Sequence, residues 1–273
     1  MRTNSTIAYL GAGNLARSLI AGLLRHGHPA DRVWASARSA DKRDSLSQAF
    51  GIHTTSDNRA AASGADIVVL AVKPQQLAGL CRELAGLDLS GKLTVSVAAG
   101  TTTASIQTHL GQAAALVRAM PNTPSAIGLG ATGLFATTTV SAEQKADAEA
   151  IFRAVGEAVW VADEAQMDVV TAVAGSGPAY YFLFMEAMQA AAEELGLSPE
   201  VARLLVRQTA LGAVNLANQR QEALSELRRQ VTSPGGTTAA ALGVFEHEHL
   251  SRTVAQALAA AVRRGQELAR AAE

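Results

Sequence analysis

Cysteine is nearly absent from this chain of 273 residues: Cys81 stands alone. No intrachain disulfide can form, and a zinc site built from several cysteines is excluded. A reducing compartment, the cytoplasm, is the expected setting. Neither sign of charge prevails, with 23 Lys+Arg against 24 Asp+Glu. Binding to nucleic acid or an anionic membrane needs a basic field, which this balance does not supply. Long apolar runs are missing as well. The stretch from Leu93 to Val117 carries no Lys, Arg, Asp or Glu but is rich in Thr, Ser and Gln, and the stretch from Val169 to Met185 is broken by Gly175-Ser176-Gly177-Pro178. Both fall short of the ~20 apolar residues that span a bilayer. The first apolar run, Ile7 to Leu10, is too short for the core of a signal peptide. The histidines are scattered, and His247 and His249 stand two apart, off a shared helix face, so no metal is expected.

What is present is material for a core. Hydrophobic residues make up 48% and charged residues 17%, which is no signature of disorder. At roughly 150 residues per domain the length fits one large domain or two ordinary ones. Up to about residue 162, β-branched runs alternate with helical patterns, as in a doubly wound parallel α/β sheet. Strands are expected at 6–10, 33–37, 52–54, 66–72, 93–98, 115–118 and 159–161. Asp66-Ile67-Val68-Val69-Leu70-Ala71-Val72 reads as a central strand buried on both faces. Ser141-Ala142-Glu143-Gln144 reads as a capping box that opens a helix. From 164 to 273 only helical periodicity remains. The helix expected over 179–195 is apolar nearly all round in its first turns. Such a helix needs cover on every side, and a second subunit would provide it. The division expected is therefore a dinucleotide-binding domain over 1–162 and a helical dimerisation and substrate domain over 163–273.

Gly11-Ala12-Gly13-Asn14-Leu15-Ala16 fits the G-x-G-x-x-G/A fingerprint, with a strand before it and a helix after it. Gly11 permits the tight turn and Gly13 lets the backbone approach a pyrophosphate, which the helix N-terminus attracts. The next strand ends in Ala35-Ser36-Ala37-Arg38-Ser39, with no acid before Asp41. An NAD site places an acid there for the ribose 2′-hydroxyl. Ser36, Arg38 and Ser39 suit a 2′-phosphate instead, so NADP(H) is expected, with NAD(H) as the second cofactor. Three further strand ends carry small or restricted residues: Val72-Lys73-Pro74-Gln75, Ala98-Ala99-Gly100 and Met120-Pro121-Asn122-Thr123-Pro124. In the second half, Ser233-Pro234-Gly235-Gly236-Thr237-Thr238 opens a helix. Its free backbone N–H groups suit a small carboxylate, though an ordinary turn would read the same way.

These blocks, together with Ala174-Gly175-Ser176-Gly177-Pro178-Ala179-Tyr180, closely resemble the pyrroline-5-carboxylate reductases, in order and over essentially the whole chain. The resemblance implies reduction of the cyclic imine 1-pyrroline-5-carboxylate to L-proline with NAD(P)H, the last step of proline biosynthesis. It implies a Rossmann domain followed by a helical domain that interlocks two subunits, with dimers often assembled into decamers. It places nucleotide contacts on Gly11, Ala12, Gly13, Asn14 and Leu15 of the first turn, and on Ser36 and Arg38 after the second strand. Asn58, Val72, Lys73, Pro74 and Ala99 complete that set. Substrate contacts fall on Glu164 and on Ser233, Gly235, Gly236 and Thr237, with the Thr238 hydroxyl near the imine nitrogen as the catalytic group. Position 237, often Ala in relatives, is Thr here. A β-hydroxyacid dehydrogenase, the competing enzyme, relies on a lysine in its helical domain, and residues 164–273 contain none. A non-catalytic NADP(H)-sensing protein of the same fold is the other alternative.

Overall fold

The continuous apolar runs form the middle of an eight-stranded sheet, as strands covered on both faces require. In the computed structural model, which describes residues 5–271, β1 (Ile7–Leu10), β4 (Ile67–Leu70) and β5 (Leu93–Ser96) are buried at every position. On one side lie β2 (Val33–Ser36) and β3 (His53–Thr55); on the other lie β6 (Ala115–Met120), β7 (Gly130–Ala136) and β8 (Gly156–Trp160). The order is β3-β2-β1-β4-β5-β6-β7-β8. It reverses direction between β1 and β4, where open α/β sheets form a ligand crevice. Six helices make the crossovers: α1 (Asn14–Arg25), α2 (Ala40–Phe50), α3 (Asn58–Ser63), α4 (Pro74–Leu84), α5 (Thr103–Leu110) and α6 (Ala142–Arg153). Successive residues of a strand face opposite ways, so Ile7 and Tyr9 join the core under α1 and α6, while Ala8 and Leu10 join the one under α3, α4 and α5. The capping box forms in full: Ser141 Oγ accepts from the Gln144 N–H at 3.1 Å, and Gln144 Oε1 accepts from the Ser141 N–H at 3.0 Å.

One strand departs from the sequence expectation. β7 was not visible in Gly130-Ala131-Thr132-Gly133-Leu134-Phe135-Ala136, and it runs antiparallel to β6 in an otherwise parallel sheet. Its glycines hid it, and packing explains one of them. A Cβ on Gly133 would collide with both methyls of Val170 on α7 (Gln166–Val170). The strand is thinned so that this helix can lie directly on it.

The chain forms two compact units, Met1–Ser176 with Ala260–Glu273, and Gly177–Ala259. The first continues past the composition change after Val161, because the segment over 163–176 packs on the sheet. Arg118 of β6, buried, pairs with Glu164 at 3.3 Å and Asp168 at 3.6 Å, and Asn122 donates to the Ala174 carbonyl at 3.1 Å. The closing turns of α12 (Leu250–Ala271) also belong here: Gly265, Leu268 and Ala269 lie against Gly100. Residues 1–4 and 272–273 of the two sequence-defined domains lie outside the described residues. Removing one partner of a buried ion pair costs about 3 kcal/mol. Arg118→Leu, which removes the cation from both Asp168 and Glu164 and leaves Glu164 only its Thr103 hydrogen bonds, is therefore expected to lower unfolding free energy by that order, read from urea denaturation. A loss under about 0.5 kcal/mol, ordinary for a surface site, would show that the pair is idle.

The second unit consists of helices and the turns between them, with no strand among its described residues. It holds α8 (Gly177–Glu194), which follows a π-turn at Thr171–Gly175, then α9 (Pro199–Gln219), α10 (Leu224–Gln230), α11 (Thr237–His247) and the start of α12. Ser198 caps α9 by accepting from the Val201 N–H at 3.4 Å, ahead of Pro199 at the first helical position. Tyr181, Phe182 and Leu183 are 68%, 62% and 66% exposed. Consecutive helical residues point ~100° apart, so a single chain leaves α8 apolar and uncovered in three directions. That is the surface the sequence assigned to a partner.

Candidate functional site

The fingerprint turn is held by Ser36. Its carbonyl accepts from the Ala12 N–H at 3.0 Å, and its Oγ accepts from the Gly11 N–H at 3.1 Å. Ser36 is buried, and its hydroxyl donates to Asn58 Oδ1 at 2.5 Å. It therefore braces the turn with both of its polar functions, whereas the sequence reading had given it to a phosphate. Gly11 sits at φ +95°, and a Cβ there would come within 2.6 Å of Val72 Cγ1 and 2.9 Å of the Ala71 carbonyl oxygen. Only glycine fits this turn. Gly13 is the N-cap of α1 with extended backbone and no side chain to block the helix N-terminus.

Beside this turn lies a cavity of about 610 Å³. Among the residues expected from sequence, Gly11, Ala12, Gly13, Ser36, Arg38, Asn58, Val72 and Lys73 line it. Asn14 and Leu15 begin α1 behind the turn, Pro74 is the first residue of α4, and Ala99 follows β5; these four do not line it. Sequence reading missed Lys42, one turn into α2, which lines the cavity with Arg38 and Ser39. The Arg38-Ser39-x-x-Lys42 spacing was the available signal. Arg43 is not part of this group, because its guanidinium donates to the carbonyls of Ala37 and Arg38 at 2.8 and 2.9 Å. The result is a glycine-lined helix N-terminus at one end and two cations with a hydroxyl at the other. A dinucleotide fits that arrangement: pyrophosphate against the turn, and an anionic group on the ribose against Arg38 and Lys42.

Glu164, expected at the substrate, is already committed. Its Oε1 accepts from the Thr103 N–H at 2.7 Å and its Oε2 from the Thr103 hydroxyl at 2.6 Å, in addition to the pair with Arg118. It ties the N-terminus of α5 to β6. Asn122 has a comparable duty, accepting from the Ala131 N–H at 3.0 Å while it donates to Ala174. Cys81 offers no nucleophile, since burial pushes its thiol up to about 11. Among the described residues no group of three or more His, Cys, Asp or Glu could hold a metal ion.

The second unit carries the remaining candidates. Gly235 takes φ +70°, Gly236 donates its N–H to the Ser233 carbonyl at 3.0 Å, and Gly236 caps α11 without a side chain. Thr237 and Thr238 are thus the first two residues of a helix whose leading N–H groups have no partner within the helix. An anionic group is favoured at such an end. The Thr238 side chain belongs to a partly exposed residue.

Residues 164–268 match the family described as pyrroline-5-carboxylate reductase dimerisation, and residues 6–100 match NADP oxidoreductase coenzyme F420-dependent. The chain is 49% identical over 263 residues to the pyrroline-5-carboxylate reductase of Vibrio alginolyticus, covering 96% of this chain and 97% of that one. A solved pyrroline-5-carboxylate reductase from Coxiella burnetii superposes with a TM-score of 0.93 at 49% identity, covering 97% and 98% of the two chains. The Plasmodium falciparum pyrroline carboxylate reductase, solved with NADP bound, gives 0.86 at 28% identity over 98% and 99%.

Proposed function

The chain belongs to the pyrroline-5-carboxylate reductase family, and from that premise we propose how its residues divide the work. The reaction is reduction of 1-pyrroline-5-carboxylate to L-proline with NAD(P)H, the terminal step of proline biosynthesis, and the enzyme is a homo-oligomer. The observation that carries the assignment of the nucleotide end is the cavity at the Ser36-braced turn. Gly11, Ala12 and Gly13 would hold the pyrophosphate, and Arg38, Ser39 and Lys42 the ribose 2′-phosphate. Val72 and Lys73 would line the path between them and the reacting end. When bound, the reduced nicotinamide would supply a hydride to the imine carbon; the π pair of the protonated imine would move to nitrogen, giving a neutral secondary amine that takes its second proton from water. The helix start at Gly236 would hold the substrate carboxylate through its N–H groups, with Ser233, Gly235 and Thr237 shaping the loop. The Thr238 hydroxyl would hydrogen-bond the ring nitrogen, where charge changes during transfer. No strong general acid is needed if the imine arrives protonated, so the enzyme's contribution is chiefly positioning.

Glu164 is better read as a brace between α5 and β6 than as a substrate ligand, given its three hydrogen bonds from Thr103 and Arg118. A cytoplasmic location is part of the same proposal, supported by the single free cysteine. Among the described residues no helix is long and apolar enough to cross a membrane.

Arg38→Asp tests the nucleotide assignment. It removes a charge-assisted contact to the 2′-phosphate and adds a carboxylate for the 2′-hydroxyl. The ratio of kcat/KM for NADPH to that for NADH is expected to fall roughly ten- to a hundredfold, the worth of one charged hydrogen bond. An unchanged ratio removes the 2′-phosphate from this corner of the cavity.

A further inference from the structure

Glu83 is the sole acid among the residues lining the nucleotide cavity, although no acid follows β2 where an NAD site would have one. It lies in the last turn of α4 and is exposed, and its Oε2 accepts from Asn58 Nδ2 at 2.9 Å. A carboxylate can only accept, so it fixes which end of the Asn58 amide faces it. The amide oxygen is then left for the Ser36 hydroxyl, whose own oxygen takes the Gly11 N–H. A relay thus runs from Glu83 through Asn58 and Ser36 to the fingerprint turn. Glu83 Oε1 accepts no hydrogen bond from the described residues, so one oxygen remains for a ligand. Arg59, its nearest cation in sequence to Asn58, is occupied with the carbonyls of Glu83 and Ala85 at 2.7 and 2.9 Å.

We propose that Glu83 is a specificity-determining residue of this pocket: its free carboxylate oxygen accepts the 2′-hydroxyl of the adenosine ribose. In doing so it stands in from α4 for the acid missing after β2. The inference rests on the reading of the cavity as the dinucleotide site. Arg38, Ser39 and Lys42 favour a 2′-phosphate, while Glu83 repels it and favours a 2′-hydroxyl. The cavity therefore carries recognition for both cofactors, and Glu83 holds the NADP(H) preference below what the cations alone would give.

Glu83→Gln keeps an acceptor for Asn58 and removes the charge. Equilibrium Kd values for NAD⁺ and NADP⁺, measured by calorimetry on the full oligomeric enzyme, separate the possibilities. The ratio Kd(NAD⁺)/Kd(NADP⁺) is expected to rise about tenfold, within the range for a hydrogen bond that loses its charge, with thermal unfolding unmoved because the site is exposed. Parallel shifts in both Kd values, or none, would overturn the proposal and leave Glu83 as a brace for Asn58. Failure of the wild-type enzyme to bind either nucleotide would instead overturn the reading of the cavity itself. Glu83→Asp, which retains the charge on a shorter stem, should keep the ratio nearer the wild-type value than Glu83→Gln does.

Discussion

Thr238→Ala is expected to lower kcat by ~10²–10³, the cost of losing one donor aimed at developing charge, while NADPH affinity stays where it was. The argument starts from position. Thr238 is the second residue of α11, next to a glycine cap whose N–H groups suit a carboxylate, so on the proposed reading its hydroxyl would meet a substrate group rather than a nucleotide one. A hydroxyl there can accept from the N–H of a protonated imine and orient the ring, or donate to the nitrogen of an unprotonated one as the π pair arrives, and alanine can do neither. Thr238→Ser keeps the hydroxyl and loses only a methyl, so it should recover most of the rate. Steady-state kinetics with 1-pyrroline-5-carboxylate and NADPH titrations by fluorescence give the two numbers. An alanine variant at near wild-type kcat would reduce the loop to a carboxylate cradle.

Leu183→Asp should abolish the oligomer, and activity with it. Leu183 is 66% exposed in a single chain, between the equally uncovered Phe182 and the less exposed Phe184. Phe184 is a poorer probe, because its ring already packs against Phe245 with centroids 6.1 Å apart, and changing it would damage the unit from within. A carboxylate at Leu183 is harmless to the isolated chain. In the assembly it would be buried without a partner, at a cost of several kcal/mol. The helical unit has little cover of its own, so losing the partner should also lose the substrate loop. Size-exclusion chromatography and activity are expected to fall together. A soluble monomer with full activity would contradict this.

Much of the first unit could be read from the chain because its elements carry their own signals. Val68, Val69 and Leu70 announce a central strand, and Ser141 with Gln144 announces a helix start that forms with both hydrogen bonds. β7 carried no such signal, since Gly133 answers to Val170, a residue far along the chain. The same distance hides the buried cluster: Arg118 meets partners 46 and 50 positions away, and nothing near residue 118 distinguishes it from a surface arginine. Ser36 was found, and it lines the cavity, but its part in bracing the turn was not legible. Its place after β2 suits a phosphate, and only the fold brings its hydroxyl to Asn58 and Gly11. Glu83 reads as an ordinary acid on an amphipathic helix until the cavity is formed around it. Local chemistry was legible; long-range pairing was not.

The central claim is that this chain moves a hydride from a nicotinamide to the imine carbon of 1-pyrroline-5-carboxylate. The direct test supplies the purified oligomer with that substrate and with NADPH carrying deuterium at its transferable C4 position, then analyses the product by mass spectrometry and NMR. The account predicts L-proline with a single deuteron at C5, formed in step with NADP⁺ and lost in Thr238→Ala and Leu183→Asp. NADPH consumption without labelled proline, or no consumption at all, would contradict it.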